Sequence, residues 1–200
     1  MTVVPLSVAD TIKESPELKV KVILPLPNQL LDVIADKIAD IGISTFEVNH
    51  PSIEVHASFS CPLVCIMASA HPLAALDRIL PRDLIGHRLI SVPFRELYGL
   101  SEEKVYGDVL EDLDKGVEVR SGLIASLFSR ATGEVAVVDA VAVSDNLIPE
   151  LEIRPLVTTE SINIDVVHNR FKPLSPQANL FRDLLLHRLR QLCTEIQVRV

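Results

Sequence analysis

The chain has 200 residues, enough for one domain or two small lobes with a real core, and 48% of them are apolar, which excludes a disordered tail. Its 27 acids outweigh 19 bases for a net charge of −8, and no basic block exists, so the chain taken alone is not built to grip DNA or RNA. No apolar run reaches the roughly 18–20 residues that cross a bilayer. Met1 is not followed by a secretory pattern. The odd set Cys61, Cys65 and Cys193 reads as packing residues in a reducing, cytoplasmic compartment.

Taken in order, Val3–Glu14 predicts a helix with Val4, Val8 and Ile12 on one stripe. Ser15-Pro16 stops it, because a residue before proline is pushed out of helical geometry. Lys19–Leu24 alternates Lys and Val before two apolar residues and predicts a strand with one wet face, broken by Pro25 and Pro27. Asn28 is placed to cap a helix whose inward residues are Leu30, Leu31, Ile34 and Ile38. The short strand Ile41-Gly42-Ile43, ending in Ser44-Thr45, completes a β-α-β unit of the kind found in parallel sheets.

Beyond His50-Pro51, the alternating run Ile53–Ser60 leads into Cys61–Ala68, which is apolar enough for a strand buried on both faces. His71-Pro72 forces the chain out of helix or ladder, and Leu73–Gly86 turns around Pro81. A buried strand with such an exit suits a crossing between two lobes. Arg88–Val92 is a further strand, and Arg95–Lys115 is an acid-rich surface segment of helix and loops. Val117–Arg120 is a strand introduced by Gly116, followed by a Ser121-Gly122 turn and a helix with the face Leu123, Ile124, Leu127 and Phe128. Gly133 stops that helix, and Glu134–Val138, ending at Asp139, gives a second β-α-β. Leu151–Val157 and Ile162–His168 are strands. Ser175-Pro176 opens a closing helix carrying Leu180, Phe181, Leu184, Leu185, Leu189 and Leu192. The class is α/β, with two lobes and ligand-sized space where their strand ends face each other.

No nucleophile elbow, Walker loop or dinucleotide glycine fingerprint appears. The six histidines have no metal-ligand spacing. We therefore expect no enzyme activity, no metal and no cofactor. Asp36 and Asp40, and the acids Glu102, Glu103, Asp108, Glu111, Asp112 and Asp114, read as solvated surface. What remains are polar residues at strand–helix junctions, where helix N-termini offer free N–H groups to anions. These are Asn28 and Gln29, Ser44 and Thr45, Ser121 and Gly122, and Asp139. Each also has a plain reading as a cap or turn.

The stretch Pro62–Met67, then His71-Pro72-Leu73-Ala74, then Leu80-Pro81-Arg82-Asp83-Leu84-Ile85-Gly86, then Arg88-Leu89-Ile90, resembles the effector-binding domain of LysR-type transcriptional regulators. Ala39-Asp40-Ile41-Gly42-Ile43, Val3-Val4-Pro5 with Pro16, Val117–Asp139, Arg154-Pro155-Leu156, and Pro173-Leu174-Ser175 with Phe181 extend the resemblance over nearly the whole chain. Val119–Ala125 and Val137–Ala140 look nearest to regulators of opine and amino-acid catabolism.

The resemblance implies a type II periplasmic-binding-protein-like fold, two Rossmann-like α/β lobes joined by crossover strands. Lobe one would comprise residues 1–66 and 170–200, and lobe two residues 67–169. It implies a small effector (amino acid, opine or other organic acid) in the cleft, and self-association as a homodimer or tetramer pairing lobe one against lobe two. DNA would be bound only through an N-terminal winged helix-turn-helix. That domain and the first strand of lobe one should precede Val3 and are missing from this chain. The expected cleft residues are Asn28, Gln29, Ser44, Thr45, Arg120, Ser121, Gly122 and Asp139. For an amino-acid-like effector, Arg120 would hold the carboxylate, unless it points outward as a surface charge, and Asp139 the ammonium. The competing readings are a solute-binding protein of a transport system, an enzyme on a similar fold, and a dimerising remnant without ligand.

Overall fold

The computed structural model describes residues 3–26, 29–143 and 148–199, with side chains up to residue 193. The chain divides into two compact units. One is Thr2–Ser60 with Asn163–Glu195, and the other is essentially Cys61–Ile162. Two strands continue from one unit into the other. They are β2 (Ile53–Ala68) and β7 (Ser161–Asn169), which are hydrogen-bonded neighbours.

In the first unit, helix α1 (Val3–Glu14) and the six-residue α2 (Leu30–Ala35) precede strand β1 (Ile41–Ser44). Strand β1 pairs antiparallel with β7, with Ile41 opposite His168 and Ser44 opposite Asp165. The helix α1 has the expected bounds but a different inner face. Val3, Ser7 and Thr11 are buried, whereas Val4 and Val8 are half-buried and Ile12 is exposed. The Thr11 hydroxyl donates to the Ser7 carbonyl at 2.8 Å, so its polarity is absorbed within the helix.

Lys19–Leu24 is not a strand. It belongs to no ladder, and Val20, Val22 and Leu24 are 43%, 60% and 93% exposed. The first β-α-β unit is therefore not formed, since alternation supplies a face but not the neighbour that a strand needs. Helix α2 ends earlier than its apolar pattern: Ile34 is fully buried, but Ile38 lies beyond the helix and is exposed. Buried Asn169, at the end of β7, closes α2 by donating to the Ile34 and Ala35 carbonyls at 3.2 and 2.8 Å. Lys37, at φ 61°, then turns the chain toward β1.

The second unit starts within β2, whose residues from Cys61 to Met67 are nearly all buried. Short 3-10 helices at Pro72–Ala75 and Pro81–Leu84 follow, as the prolines dictate. His71 is structural here, its Nδ1 accepting from Leu73 N–H at 3.2 Å. Strand β3 (Arg88–Ser91) leads to the short helices α3 (Phe94–Tyr98) and α4 (Glu102–Tyr106), and then to β4 (Asp114–Glu118). This strand starts three residues before its expected bound. Its register against β3 shifts at Gly116, where any Cβ would lie 1.9 Å from Arg88 Nε. Arg120 thus lies outside the strand.

Helix α5 (Gly122–Thr132) closes on Gly133 at φ 78° and returns through β5 (Val135–Asp139). Strands β4 and β5 flank β3, both parallel to it, so this crossover is formed. The face of α5 is the reverse of the expectation. Gly122, Ala125, Ser126 and Ser129 are buried, while Leu123, Ile124, Leu127 and Phe128 are each about 40% exposed. The Ser129 hydroxyl donates to the Glu134 carbonyl at 2.7 Å, fixing the turn into β5. The unit is completed by α6 (Ala140–Val143) and β6 (Leu151–Pro155), the latter antiparallel to β2. The closing helix α7 (Pro176–Arg199) begins as expected, Ser175 Oγ accepting from Ala178 N–H at 3.1 Å. Its Leu185, Leu186 and Leu189 pack with Val3 and Val166.

Leu185 is fully buried in that cluster, so Leu185→Ala should cost about 2–5 kcal/mol in urea unfolding. Leu127→Ala, on the outer face of α5, should cost less than about 1 kcal/mol. Equal losses would contradict the α5 orientation.

Candidate functional site

In the second unit the site is built where β3, β4 and β5 end and α5 begins. Ser121 occupies the N-cap position in extended geometry, and its hydroxyl makes no capping bond. The first N–H groups of α5 are therefore not satisfied by their usual side-chain partner, at the positive end of an eleven-residue helix. Gly122 is required by packing: a Cβ there would lie 2.5 Å from that of Ala142 and 3.6 Å from Asp139 Oδ2.

Asp139 is buried and fully engaged. Its Oδ1 accepts from Ala142 N–H at 2.8 Å, capping α6, and its Oδ2 accepts from the Tyr98 hydroxyl at 2.8 Å. Burial raises its pKa, opposed by the hydrogen bonds from Tyr98 and Ala142. Burial, then the adjacent Asp139 carboxylate, pushes the Tyr98 hydroxyl far above its usual range, so it remains a donor. Arg120 is half exposed and paired with Glu96. The structure thus brings together Ser121, Gly122 and Asp139, while Arg120 is turned to an exposed ion pair.

Sequence reasoning missed Glu96 and Tyr98, the α3 residues that hold Arg120 and Asp139. They lie 24 and 41 positions from their partners, within a segment read as surface. The phenol placed two residues after an acid was the available signal.

In the first unit, Ser44 is buried at the end of β1 and satisfied by its own turn. Its hydroxyl donates to the Phe46 carbonyl at 3.0 Å and accepts from Phe46 N–H at 3.2 Å. Thr45 follows it, half-buried. Gln29 precedes α2, its Oε1 accepting from Leu26 N–H at 3.4 Å rather than capping the helix. Asn28 lies outside the described residues. Among the described residues no group of three or more His, Cys, Asp or Glu side chains could hold a metal ion. Likewise, no described helix is long and apolar enough to cross a membrane.

Two α/β units sharing a pair of continuous strands, with polar helix starts at strand ends, define a ligand-binding protein of the type II periplasmic-binding-protein-like class. The family model described as "LysR substrate binding domain" matches residues 2–190, and the chain belongs to that family.

Solved structures share the fold. The effector binding domain of QuiR in complex with shikimate has a TM-score of 0.68 at 16% identity, over 94% of this chain and 90% of that one. The regulatory domain of Synechocystis PCC6803 CcmR in complex with 2-PG gives 0.72 at 19%, over 93% and 90%. Full-length CbnR complexed with its target DNA gives 0.65 at 16%, over 96% of this chain and 68% of that one.

Replacing Asp139 by Ala leaves the Tyr98 hydroxyl and Ala142 N–H without their partner and should cost about 1–3 kcal/mol in chemical denaturation. The raised pKa of Asp139 has the opposite sign from a salt-bridged carboxylate. The folded form binds the proton more tightly, so stability is highest below the unfolded carboxylate pKa and falls as pH rises through the folded value. Asp139→Asn should flatten that decline relative to the parent. An unchanged pH profile would refute the buried placement.

Proposed function

We propose that this chain is the effector-sensing regulatory part of a LysR-type transcription factor, working in the cytoplasm and having no catalytic role. The observation that carries the reading is the start of α5, where Ser121 leaves the first N–H groups of the helix without a side-chain cap. An organic carboxylate is the ligand that such a positive helix end accepts. Shikimate, bound by QuiR, and benzoate, bound by BenM, are both carboxylates.

Arg120 contributes by exchange. Its pair with Glu96 is exposed on both sides, and such pairs contribute only about 0–1 kcal/mol, so a ligand carboxylate displaces Glu96 at little cost. Asp139 is different. An ammonium on an amino acid or opine would have to compete with Tyr98 for a buried, doubly bonded carboxylate, so we place Asp139 as the support of the site. Gln29, Ser44 and Thr45, with Asn28, remain the proposed contribution of the other unit. An effector that prefers one conformation of the chain shifts the population, and through it the tethered DNA-binding domains.

We also infer self-association through the outer apolar faces of α1, with Leu6 and Ile12, and α5, with Leu123, Ile124, Leu127 and Phe128. Leu127→Asp should shift the protein to monomer in sedimentation; an unaltered assembly would exclude that face.

Calorimetric titration with organic acids, opines and amino acids tests the ligand. Ser121→Asp puts a carboxylate at the α5 N-terminus, which favours the helix and repels an anionic ligand. The variant should be at least as stable as the parent and bind about tenfold or more weakly, roughly 1.4 kcal/mol. Unchanged affinity would sink the α5 site, and no melting shift with any ligand would favour a dimerising remnant. A helix-turn-helix encoded upstream supports regulation, whereas an export signal there supports transport.

A further inference from the structure

Strands β2 and β7 bring two histidines face to face in the first unit. The rings of His56 and His168 are stacked, with centroids 4.1 Å apart and planes 18° from parallel. His168 is buried, and on its other side β1 presents Ile41, which is apolar. His56 Nε2 and His168 Nδ1 are both buried and have no hydrogen-bond partner. Buried polar atoms are nearly always paired, so two orphaned nitrogens in one stack are a cost the fold carries at a single place.

The charged groups around His56 are Arg182 and Asp183 from α7 and Glu54 from β2. Arg182 is already committed to Asp183, its Nε and Nη2 donating to Asp183 Oδ1 at 2.8 and 2.7 Å.

We propose that the stacked His56–His168 pair is an acid-sensitive switch: protonation breaks the stack and loosens the β2–β7 ladder beneath α7. A proton on His56 Nε2 has no acceptor, and both the second imidazole and the Arg182 charge disfavour it. The charges that favour the protonated ring are those of Glu54 and Asp183, so the imidazolium is drawn from the stack toward them. Burial, followed by His168 and Arg182, lowers the pKa of His56, so the stack is complete above the usual histidine range and opens as pH falls below it. Both strands continue into the second unit, so a change in their pairing alters the segments that the two units share. The inference is independent of which effector binds.

The test records the imidazole resonances and backbone amide exchange of the whole chain between about pH 8 and pH 5.5. His56 should titrate below the usual range. Protection of β7 amides, corrected for intrinsic exchange, should fall about tenfold with the same midpoint, while β5 and α5 stay protected. In His168→Phe, which keeps a stacked ring, the His56 midpoint should rise. In His56→Phe, the loss of β7 protection should disappear. Should His56→Phe fail to fold, His56→Gln provides its readout, and His168→Gln likewise stands in for His168→Phe. The proposal is overturned if β7 protection is flat in the parent, if β5 and α5 open in parallel as in global acid unfolding, or if the His56 midpoint ignores His168.

Discussion

The structure depends on one sixteen-residue strand that changes character midway. In β2, Ile53–Ser60 alternates between buried and wet positions, and Cys61–Met67 is buried almost throughout. The first half is paired with β7, whose partner on the far side is β1; the second half is covered by β5 and β6. A strand buried on both faces needs neighbours along both edges and layers above and below. Here β5 and β6 pair with β2, and α5 and α6 line one cavity together with Ile66. Cys61 and Cys65 fit this role, being buried side chains. Burial raises the Cys65 thiol far above its usual range, so it is held as a neutral packing group.

Helices α1 and α5 resolve their packing in the same unusual way. Helix α5 buries a stripe of small residues, α1 buries Val3, Ser7 and Thr11, and both leave large apolar side chains partly exposed. Glycine, alanine and serine permit a close approach. Gly122, against Ala142, is the clearest instance, since a single added carbon would collide. Large residues such as Leu6, Ile12, Leu127 and Phe128 are only partly covered by their own unit and keep about 40% of their surface exposed. They are available for contact with another chain, the use we propose for them.

The electrostatics around α5 separate two kinds of acid–base contact. Asp139 is desolvated, and its hydrogen bonds from Tyr98 and Ala142 hold β5, α6 and α3 together. Arg120 and Glu96 are matched charges in solvent, where screening and side-chain entropy leave little net gain. The rigid contact positions the helix start, and the weak one is free to be exchanged. The anion site we propose at the start of α5 would therefore leave the core contacts of Asp139 in place.

Much of the architecture was legible in the residues. Val3–Glu14, the passage from Cys61 to Gly86, the crossover ending at Gly133, and the Ser175-Pro176 helix start all rest on local rules about proline, glycine, capping and periodicity. Those rules hold wherever the segment lies. The sequence also carried the family, through short motifs in a fixed order. It did not carry partners. Lys19–Leu24 has the alternation of a strand and no ladder, and Leu123, Ile124, Leu127 and Phe128 have a helical period but face outward. The ties from Tyr98 to Asp139 and from Glu96 to Arg120, and the His56–His168 stack, join residues far apart along the chain. Periodicity reports that a face exists, but only tertiary packing decides what that face meets. The cause on α5 is steric, because Gly122 lies so close to Ala142 that an added carbon would collide, which turns the small residues inward.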